Sequence, residues 1–195
     1  TSKKKIAIAG ATGFIGRWFI DTYKNQYDIV ALSRKKTSFN EKMEWRMVDL
    51  FSISSSVEAL KGVDYALYLV HSMQPSTRLN QSNFEDTDLL LADNFSRAAA
   101  ICNLEHIVYV GGILPKDNLN ISKHLQSRYE VEQVLGSRKT PLTTIRAGII
   151  IGPGGSSFKI IEKLVENLPI MACPKWTKSK NQPVDLRVAL KTIEE

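Results

Sequence analysis

Residues 5–16 of the chain read KIAIAGATGFIG, and this stretch decides the fold. Its first five residues form a short, mostly apolar run, which is typical of a buried strand. A turn with three regularly spaced glycines follows, and apolar side chains then recur at helical spacing at Ile15, Phe19 and Tyr23. The segment therefore predicts a strand, a tight glycine turn and a helix, in that order.

The glycines of this turn have different predicted roles. Gly10 allows the tight bend, Gly13 lets the backbone approach a pyrophosphate, and Gly16 lets the helix pack closely on the strand. Free backbone amides at the start of the helix, together with the helix dipole, supply a site for an anion. A glycine-rich turn without a ligand is the alternative, but the strand-turn-helix context favours a dinucleotide site.

Strands and helices continue to alternate along the chain, which predicts a parallel sheet covered on both faces. The fold is therefore expected to be α/β, a Rossmann-type doubly wound parallel sheet of six or seven strands with helices on both faces. Residues 1–155 form the predicted NAD(P)-binding core, and residues 156–195 form a small C-terminal segment on the substrate side. Strands are predicted at Lys5–Ala9, Ile29–Leu32, Glu44–Val48, Tyr65–Val70, His106–Val110 and Thr143–Ile151. Two helices are predicted to start after Gly13 and at a capping box over Ser55–Glu58. Four more are predicted at about 82–102, 123–135, 158–168 and 186–193.

Composition and charge narrow the class of protein. The 195 residues are 43% hydrophobic and 24% charged, with a net charge of +6, which is ordinary for a globular domain. No apolar stretch is long enough to cross a bilayer, and the basic clusters lack the interleaved aromatic residues of a nucleic-acid platform. We therefore expect a small-molecule substrate and neither a membrane nor a nucleic-acid partner. Cys102 and Cys173 fit no metal-site spacing, so we expect reduced thiols, no metal and a cytoplasmic location.

The end of the second predicted strand distinguishes the two nicotinamide dinucleotides. A carboxylate about 20 residues after the glycines holds the 2′-hydroxyl of NAD in such domains. This chain instead has Ser33, Arg34 and Lys35 there. Arg34 can stack on adenine and bind a 2′-phosphate with its guanidinium fork, while Ser33 donates a hydrogen bond and Lys35 adds charge. The sequence predicts NADP as the cofactor, with NAD less favoured, and an exposed basic turn without a ligand is the alternative.

The glycine turn, with Val48-Asp49-Leu50 after the third strand, resembles the short-chain dehydrogenase/reductase superfamily in its extended or atypical branch. Residues 68–73 (YLVHSM), 122–128 (SKHLQSR) and 168–171 (LPIM) are similar to an NmrA-like or epimerase/dehydratase-like NAD(P)-binding subgroup. The resemblance spans nearly the whole chain, and in this family the Asp-Leu pair brackets the adenine. It implies that the cofactor-binding residues are Gly10, Thr12, Gly13, Phe14, Ile15, Gly16, Ser33, Arg34, Lys35, Asp49, Leu50, Val70, His71, Arg128, Ala147 and Ile149.

The catalytic pattern of that superfamily is not kept. The resemblance implies a Tyr that protonates the carbonyl, a Lys four residues later that lowers the Tyr pKa and holds the nicotinamide ribose, and a strand-end Ser or Thr. This chain has His124 and Arg128 at the Tyr and Lys positions, and Gly111-Gly112 in place of the hydroxyl. His124 and Arg128 share one helical face and are the candidate catalytic residues, with Arg128 also placed to hold the ribose. For His124, a polar helix residue without a chemical role is the alternative.

Two other side chains near the predicted site each have two interpretations. His71, at the end of the fourth strand, either contacts the cofactor ribose or makes a local hydrogen bond. Arg146 either lines the mouth of the substrate pocket, as the resemblance implies, or is an ordinary charge at a strand end.

Two functions agree with these features. The leading one is an NAD(P)H-dependent oxidoreductase or epimerase-like enzyme acting on a small carbonyl or sugar-like substrate, with His124 or water handling the proton. The other is a redox-inactive NAD(P)H sensor or binding module of the NmrA-like type. Substrate identity and oligomeric state stay open. Few residues follow the sixth strand, so we expect either a small pocket or a truncated chain.

Overall fold

The structure, a computed structural model, describes residues 3–35, 43–71, 82–115, 121–155 and 182–195, with positions 159, 162, 163, 166 and 167. Side chains of residues 82–85, and most of the helix predicted at 158–168, lie outside this description. The strands are Lys5–Ala9 (β1), Asp28–Ser33 (β2), Glu44–Met47 (β3), Tyr65–Tyr68 (β4), His106–Gly112 (β5), Leu142–Ala147 (β6), Ile150–Ile151 (β7) and Val184–Asp185 (β8). The helices that we number are Phe14–Tyr23 (α1), Ile53–Leu60 (α2), Ser82–Ile101 (α3), Lys123–Leu135 (α4) and Leu186–Glu194 (α5).

Six of these strands form one parallel sheet in the order β3-β2-β1-β4-β5-β6, while β7 pairs with β8 separately. The predicted doubly wound α/β fold is confirmed. The chain order reverses between β1 and β4, and in such sheets ligands bind at this switch point, beyond the carboxyl ends of the strands. The continuous strand predicted over 143–151 is wrong, because the chain leaves the sheet after Ala147 and Ile150 pairs with Val184.

The sheet is buried on both faces by two hydrophobic clusters. One cluster packs α2, α3 and α4 on the sheet and contains Leu60, Phe95 and Leu135. The other packs α1 and α5 on the opposite face and contains Phe19 and Leu190. Full burial of one such side chain contributes about 1.5–3 kcal/mol. The two clusters therefore hold the strands firmly, and the strand ends at the carboxyl edge become a fixed frame for a site.

Helix α5 is part of the packed core. Leu186 occupies space beside Gly152, where an added Cβ would lie 2.7 Å from the Leu186 Cβ. At the other end of the helix, Glu194 accepts hydrogen bonds from Tyr27 Oη at 2.8 Å and Gln26 Nε2 at 2.7 Å. The last described segment thus returns to α1, and the division predicted at residue 155 stays a prediction.

The start of α2 differs from the predicted capping box. Ser52 is the N-cap, and its Oγ accepts a hydrogen bond from the Ser55 amide at 3.3 Å. Ser55 Oγ accepts instead from the Asp49 amide at 3.0 Å. The helix therefore begins three residues earlier than a Ser55 cap requires, because Ser52 satisfies the first-turn amide. Ser55 is left to fix the loop that carries Asp49.

The described residues contain neither a membrane-spanning helix nor a cluster of metal ligands. No helix in that part of the chain has the length and apolarity needed to cross a bilayer. The same residues hold no group of three or more His, Cys, Asp or Glu side chains that could bind a metal ion. Cys102 is a free thiol that donates to the Val57 carbonyl at 3.4 Å, and Cys173 lies outside the described residues.

Candidate functional site at the carboxyl edge of the sheet

The glycine turn follows β1 at the centre of the sheet. Gly10 has a φ of +93°, a conformation that L side chains rarely adopt, and its missing Cβ faces Leu69 at 3.0 Å. The Gly13 amide closes the turn by donating to the Gly10 carbonyl at 2.9 Å. A Cβ at Gly16 would lie 2.5 Å from the Gly10 carbonyl oxygen, closer than atoms pack. The turn and the helix can approach this closely only with glycine at positions 10 and 16.

Helix α1 starts without a side-chain cap. Gly13 is its N-cap, makes no side-chain capping hydrogen bond, and is followed by a first turn without acidic residues. The first amides of a helix have no carbonyl partner within it, and the helix dipole makes this end positive. Thr12 and Gly13 are exposed here, while Phe14 and Ile15 are half-buried. The helix start therefore presents backbone donors to an anion.

The end of β2 lies beside this turn, with Ala9 paired to Leu32. Ser33 is half-buried, and its Oγ accepts a hydrogen bond from the Lys35 amide at 3.3 Å. Arg34 and Lys35 are both exposed at the following turn. The structure thus brings the predicted 2′-phosphate residues next to the glycine turn.

Asp49 and Leu50 follow β3, and Asn94 on α3 anchors their loop. Asp49 is exposed, and its Oδ1 accepts from the Phe51 amide at 3.0 Å. Asn94 is only 8% exposed, and its Nδ2 donates to the carbonyls of Leu50 at 2.9 Å and Phe51 at 3.0 Å. The sequence prediction missed Asn94, which fixes the position of the loop that carries Asp49 and Leu50.

Asn94→Ala is expected to destabilise the fold and to weaken dinucleotide binding. The substitution leaves two backbone carbonyls without their buried donor, which costs about 1–3 kcal/mol, and it frees the Asp49 loop. The free energy of unfolding in urea and the cofactor affinity from calorimetry check both effects. Ser96→Ala is the matched control, because Ser96 on the same helix donates to the Leu135 carbonyl at 3.1 Å, away from the site. Equal losses of cofactor affinity in the two variants would contradict the assignment.

The end of β4 carries Val70 and His71, both half-buried. The Leu69 amide donates to the Ala9 carbonyl at 2.8 Å, so this strand end stays beside the glycine turn. Burial, then the nearby charge of Arg128 and the His124 ring, lower the pKa of His71 to about 3. His71 is therefore a neutral imidazole at physiological pH, able to donate from one ring nitrogen and accept at the other.

The end of β5 contains no hydroxyl. A Cβ at Gly112 would lie 2.6 Å from Leu125 Cδ2 and 3.6 Å from Arg128 Cδ. Leu125 on α4 thus fills the space that a side chain at position 112 would need. Gly111 is also confined, with Tyr109 Cε1 at 3.2 Å from its Cβ position. A Ser or Thr at position 112 would therefore require the Leu125 side chain to move aside.

Helix α4 carries the two catalytic candidates one turn apart. Ser122 caps this helix by accepting from the Leu125 amide at 3.3 Å. Desolvation and the charge of Arg128 lower the pKa of His124, although Asp88 opposes the shift. Arg128 is half-buried, and its Nε is buried with no hydrogen-bond partner among the described residues. The structure brings His71, His124 and Arg128 into one electrostatic group.

Arg146 at the end of β6 forms an ion pair with Glu132 of α4. Arg146 donates from Nη2 to Glu132 Oε1 at 2.7 Å and from Nε to Oε2 at 3.2 Å. This ion pair joins β6 to α4 and raises the pKa of Arg146. The Arg146 guanidinium therefore helps to hold α4 on β6. Ala147 and Ile149 follow it and are half-buried at the same edge.

Stability is expected to fall as the pH drops below about 6.5. An unfolded histidine takes up a proton near that pH, whereas folded His71 has a pKa of about 3. The unfolded state then binds more protons than the folded state, so acidification favours unfolding. His124, whose pKa is also lowered, adds to the same slope. Urea unfolding between about pH 7 and pH 5 should show a flatter pH dependence for His71→Asn than for the parent chain, and an unchanged slope would be inconsistent with a neutral buried His71.

The chain matches one family model and is similar to a curated relative. A model of the NAD dependent epimerase/dehydratase family matches residues 6–131, which include β1 through most of α4. Auxiliary protein GraX from Staphylococcus aureus (strain NCTC 8325 / PS 47) is 32% identical over 148 residues, or 73% of this chain and 43% of GraX. The chain thus spans less than half the length of this relative.

Solved structures share the fold at low sequence identity. WbmG from Bordetella bronchiseptica, in complex with NAD and UDP, has a TM-score of 0.80 at 13% identity, over 99% of this chain and 68% of that chain. UDP-N-acetylglucosamine 4-epimerase from Bacillus cereus has a TM-score of 0.72 at 20% identity, over 98% and 73%. The resemblance to the short-chain dehydrogenase/reductase superfamily is confirmed, while its NmrA-like refinement stays a prediction. With the family match covering β1 to α4, the chain belongs to the NAD dependent epimerase/dehydratase family.

Proposed function

We propose that the chain binds one nicotinamide dinucleotide across the carboxyl edge of the sheet, with the pyrophosphate on the glycine turn. The observation that carries this proposal is the start of α1. Gly10 and Gly16 have no room for side chains, a Cβ at Gly13 would lie 3.1 Å from the Gly10 carbonyl oxygen, and the helix lacks a capping side chain. Backbone amides at such a helix start bind phosphate. Family membership supports a nicotinamide cofactor, and the WbmG structure contains NAD.

The rest of the edge fits the same ligand. We expect Asp49 and Leu50, which Asn94 holds, to contact the adenine, and Val70 and His71 to contact a ribose. Arg128, Ala147 and Ile149 are the candidates for contact with the nicotinamide half. The buried Arg128 Nε without a partner fits a polar group of the cofactor or substrate. When bound, the nicotinamide ring would supply hydride transfer.

Arg34→Ala is expected to weaken NADPH binding about tenfold to a hundredfold and to leave NADH binding much less affected. A charge-assisted hydrogen bond to phosphate contributes about 1.5–3 kcal/mol, and only NADPH has the 2′-phosphate. Support comes from the exposed Arg34 and Lys35 beside the glycine turn. Calorimetric titration of both cofactors gives the ratio of affinities. Arg97→Ala, which removes an exposed arginine of α3, controls for net charge, and an unchanged ratio in Arg34→Ala would refute the NADP preference.

The chemistry that we propose is a slow oxidoreductase or epimerase-like reaction on a small carbonyl or sugar-like substrate. His124 occupies the proton-donor position, and a neutral imidazole can donate a proton. The lowered pKa of His124 reduces the share of imidazolium at neutral pH. His71, on the adjacent strand end, is the second imidazole able to hold or pass a proton. Oxidation of NADPH in the presence of a panel of carbonyl compounds tests this proposal.

A binding module that performs no turnover is the second candidate. One observation favours it: Leu125 fills the space in which the carbonyl-polarising hydroxyl would stand. The name of GraX, an auxiliary protein, also suits a role other than catalysis. The two functions differ in one measurable respect, because a binding module takes up the cofactor without oxidising it. Cofactor binding without turnover on any carbonyl of the panel would select this candidate.

A further inference from the structure

The strand ends at the centre of the edge converge on Arg128. Tyr68 of β4 pairs with Tyr109 of β5, so His71 and Gly112 each follow their paired residue by three positions. A Cβ at Gly112 would lie 3.6 Å from Arg128 Cδ. The side chain of Arg128 therefore crosses the end of β5, next to the strand end that carries His71.

The backbone of Arg128 is fixed by a hydrogen bond, whereas its side-chain Nε has no hydrogen-bond partner among the described residues. Tyr109 Oη donates to the Arg128 backbone carbonyl at 3.3 Å, which fixes this turn of α4 on β5. The Nε atom is buried and has no hydrogen-bond partner among the described residues. A buried N–H donor without an acceptor is costly. Such an arrangement favours a ligand that brings the missing acceptor.

Two histidines lie near Arg128. His124 is exposed one helical turn before Arg128 on α4, and His71 follows β4, which pairs with β5. Burial and the charge of Arg128 lower the pKa of both rings. The carboxylate that acts on Arg128 is Asp88 of α3, which also has an interaction of its own. An arginine guanidinium binds oxyanions with planar, bidentate hydrogen bonds, and a neutral imidazole can add an N–H donor.

We propose that Arg128, His71 and His124 together bind an oxyanion, a carboxylate or a phosphate group, carried by the substrate. This inference rests on the proposed function, because the substrate must reach the nicotinamide end of the site. It adds a chemical class: the carbonyl or sugar-like substrate carries an acidic group. The guanidinium fork holds the oxyanion, and the imidazole N–H groups orient it.

The test is a titration of the cofactor-loaded protein with acetate, and separately with methyl phosphate, followed by NMR of the histidine rings. The chain has three histidines, so the signals are few. His71 and His124 are expected to shift and saturate. His106, at the opposite edge and hydrogen-bonded to Thr143 at 2.8 Å, is the internal reference for non-specific effects. The stronger of the two anions identifies the source of the oxyanion as carboxylate or phosphate.

Arg128→Gln is expected to weaken the anion at least tenfold, because a charged hydrogen-bond pair is lost. Arg128→Lys keeps the charge without the fork and should retain part of the affinity. Arg97→Gln is the matched control and should stay within about twofold, since Asp93 keeps Arg138 as a partner at 2.9 Å. Equal anion affinity in Arg128→Gln and the parent would overturn the inference.

The anion titration of the parent chain tests the inference even if a variant does not fold. Failure of His71 and His124 to show a saturable shift with either anion would overturn the inference, whatever the variants do. Failure of the proposed function has a different signature, since the chain would then not bind NADPH or NADH at all. The titration is repeated without cofactor, so the oxyanion site is tested independently of that outcome.

Discussion

Gly13→Val is expected to abolish dinucleotide binding and to leave the chain folded. Gly13 is exposed at the start of α1 and has ordinary φ and ψ angles of −74° and 175°. A valine can adopt these angles, and its Cβ would lie 3.1 Å from the Gly10 carbonyl oxygen, a milder contact than the 2.5 Å at Gly16. Its branched side chain occupies the space through which a pyrophosphate approaches. Losing two charge-assisted hydrogen bonds, at about 1.5–3 kcal/mol each, weakens binding by about 10² to 10⁴-fold. Thermal unfolding with and without NADPH measures the loss, because a bound ligand raises the melting temperature.

A variant of a second glycine, Gly16, distinguishes an effect on cofactor binding from an effect on folding. Gly16→Ala places a Cβ 2.5 Å from the Gly10 carbonyl oxygen and 2.9 Å from Ala11 Cα. Both contacts are backbone atoms that cannot move aside cheaply, so this variant should lower the unfolding temperature of the chain without cofactor. Gly13→Val should not lower it to the same extent. If Gly13→Val still gains stability from NADPH, the turn is not the phosphate site.

Turnover, where it occurs, is expected to be slower by several orders of magnitude than in reductases with the Tyr-Lys pair. A missing general acid costs about 10² to 10⁴-fold in rate. A missing hydrogen-bond donor to the substrate oxygen costs about 10² to 10³-fold. His124 can recover part of the first loss, whereas Gly111 and Gly112 offer no hydroxyl to recover the second. The rate of NADPH oxidation against a carbonyl panel measures both.

Variants at the same positions distinguish these causes. His124→Ala should reduce the residual rate further if this imidazole donates the proton. Gly112→Ser alone should raise the rate less than the double variant with Leu125→Ala, since the new Cβ meets Leu125 Cδ2 at 2.6 Å and the leucine side chain must move aside. Gly112→Ser combined with Leu125→Ala makes room for the hydroxyl and should raise the rate above that of Leu125→Ala alone. A parent chain with an ordinary reductase rate that survives His124→Ala would show that the proton donor lies elsewhere, and His71 is then the first residue to test.

Features that depend on residues close together in the sequence could be predicted from the sequence. The glycine turn was predictable because Gly10 and Gly16 each answer a steric requirement within a few residues of themselves. The basic turn at Arg34 was predictable because it directly follows a strand whose neighbours the βαβ order specifies. Helix α4 was predicted with the bounds that the structure shows.

Contacts between residues far apart in the sequence could not be predicted in this way. Asn94 hydrogen-bonds to Leu50, 44 residues away, and nothing near Asn94 in sequence signals that partner. Several serines compete to cap α2, and only the folded loop shows that Ser52 does so while Ser55 binds Asp49. The occupation of the Gly112 space by Leu125 also depends on how α4 packs on β5. The missing hydroxyl could be predicted from the sequence, but the contact of Leu125 with this position could not.

The central claim is that the carboxyl edge of the sheet binds a nicotinamide dinucleotide, and calorimetric titration of the parent chain with NADPH and with NADH tests it most directly. The result predicted is saturable binding of one cofactor per chain, with NADPH the tighter of the two. The contradictory result is that neither cofactor releases heat or raises the unfolding temperature at millimolar concentration.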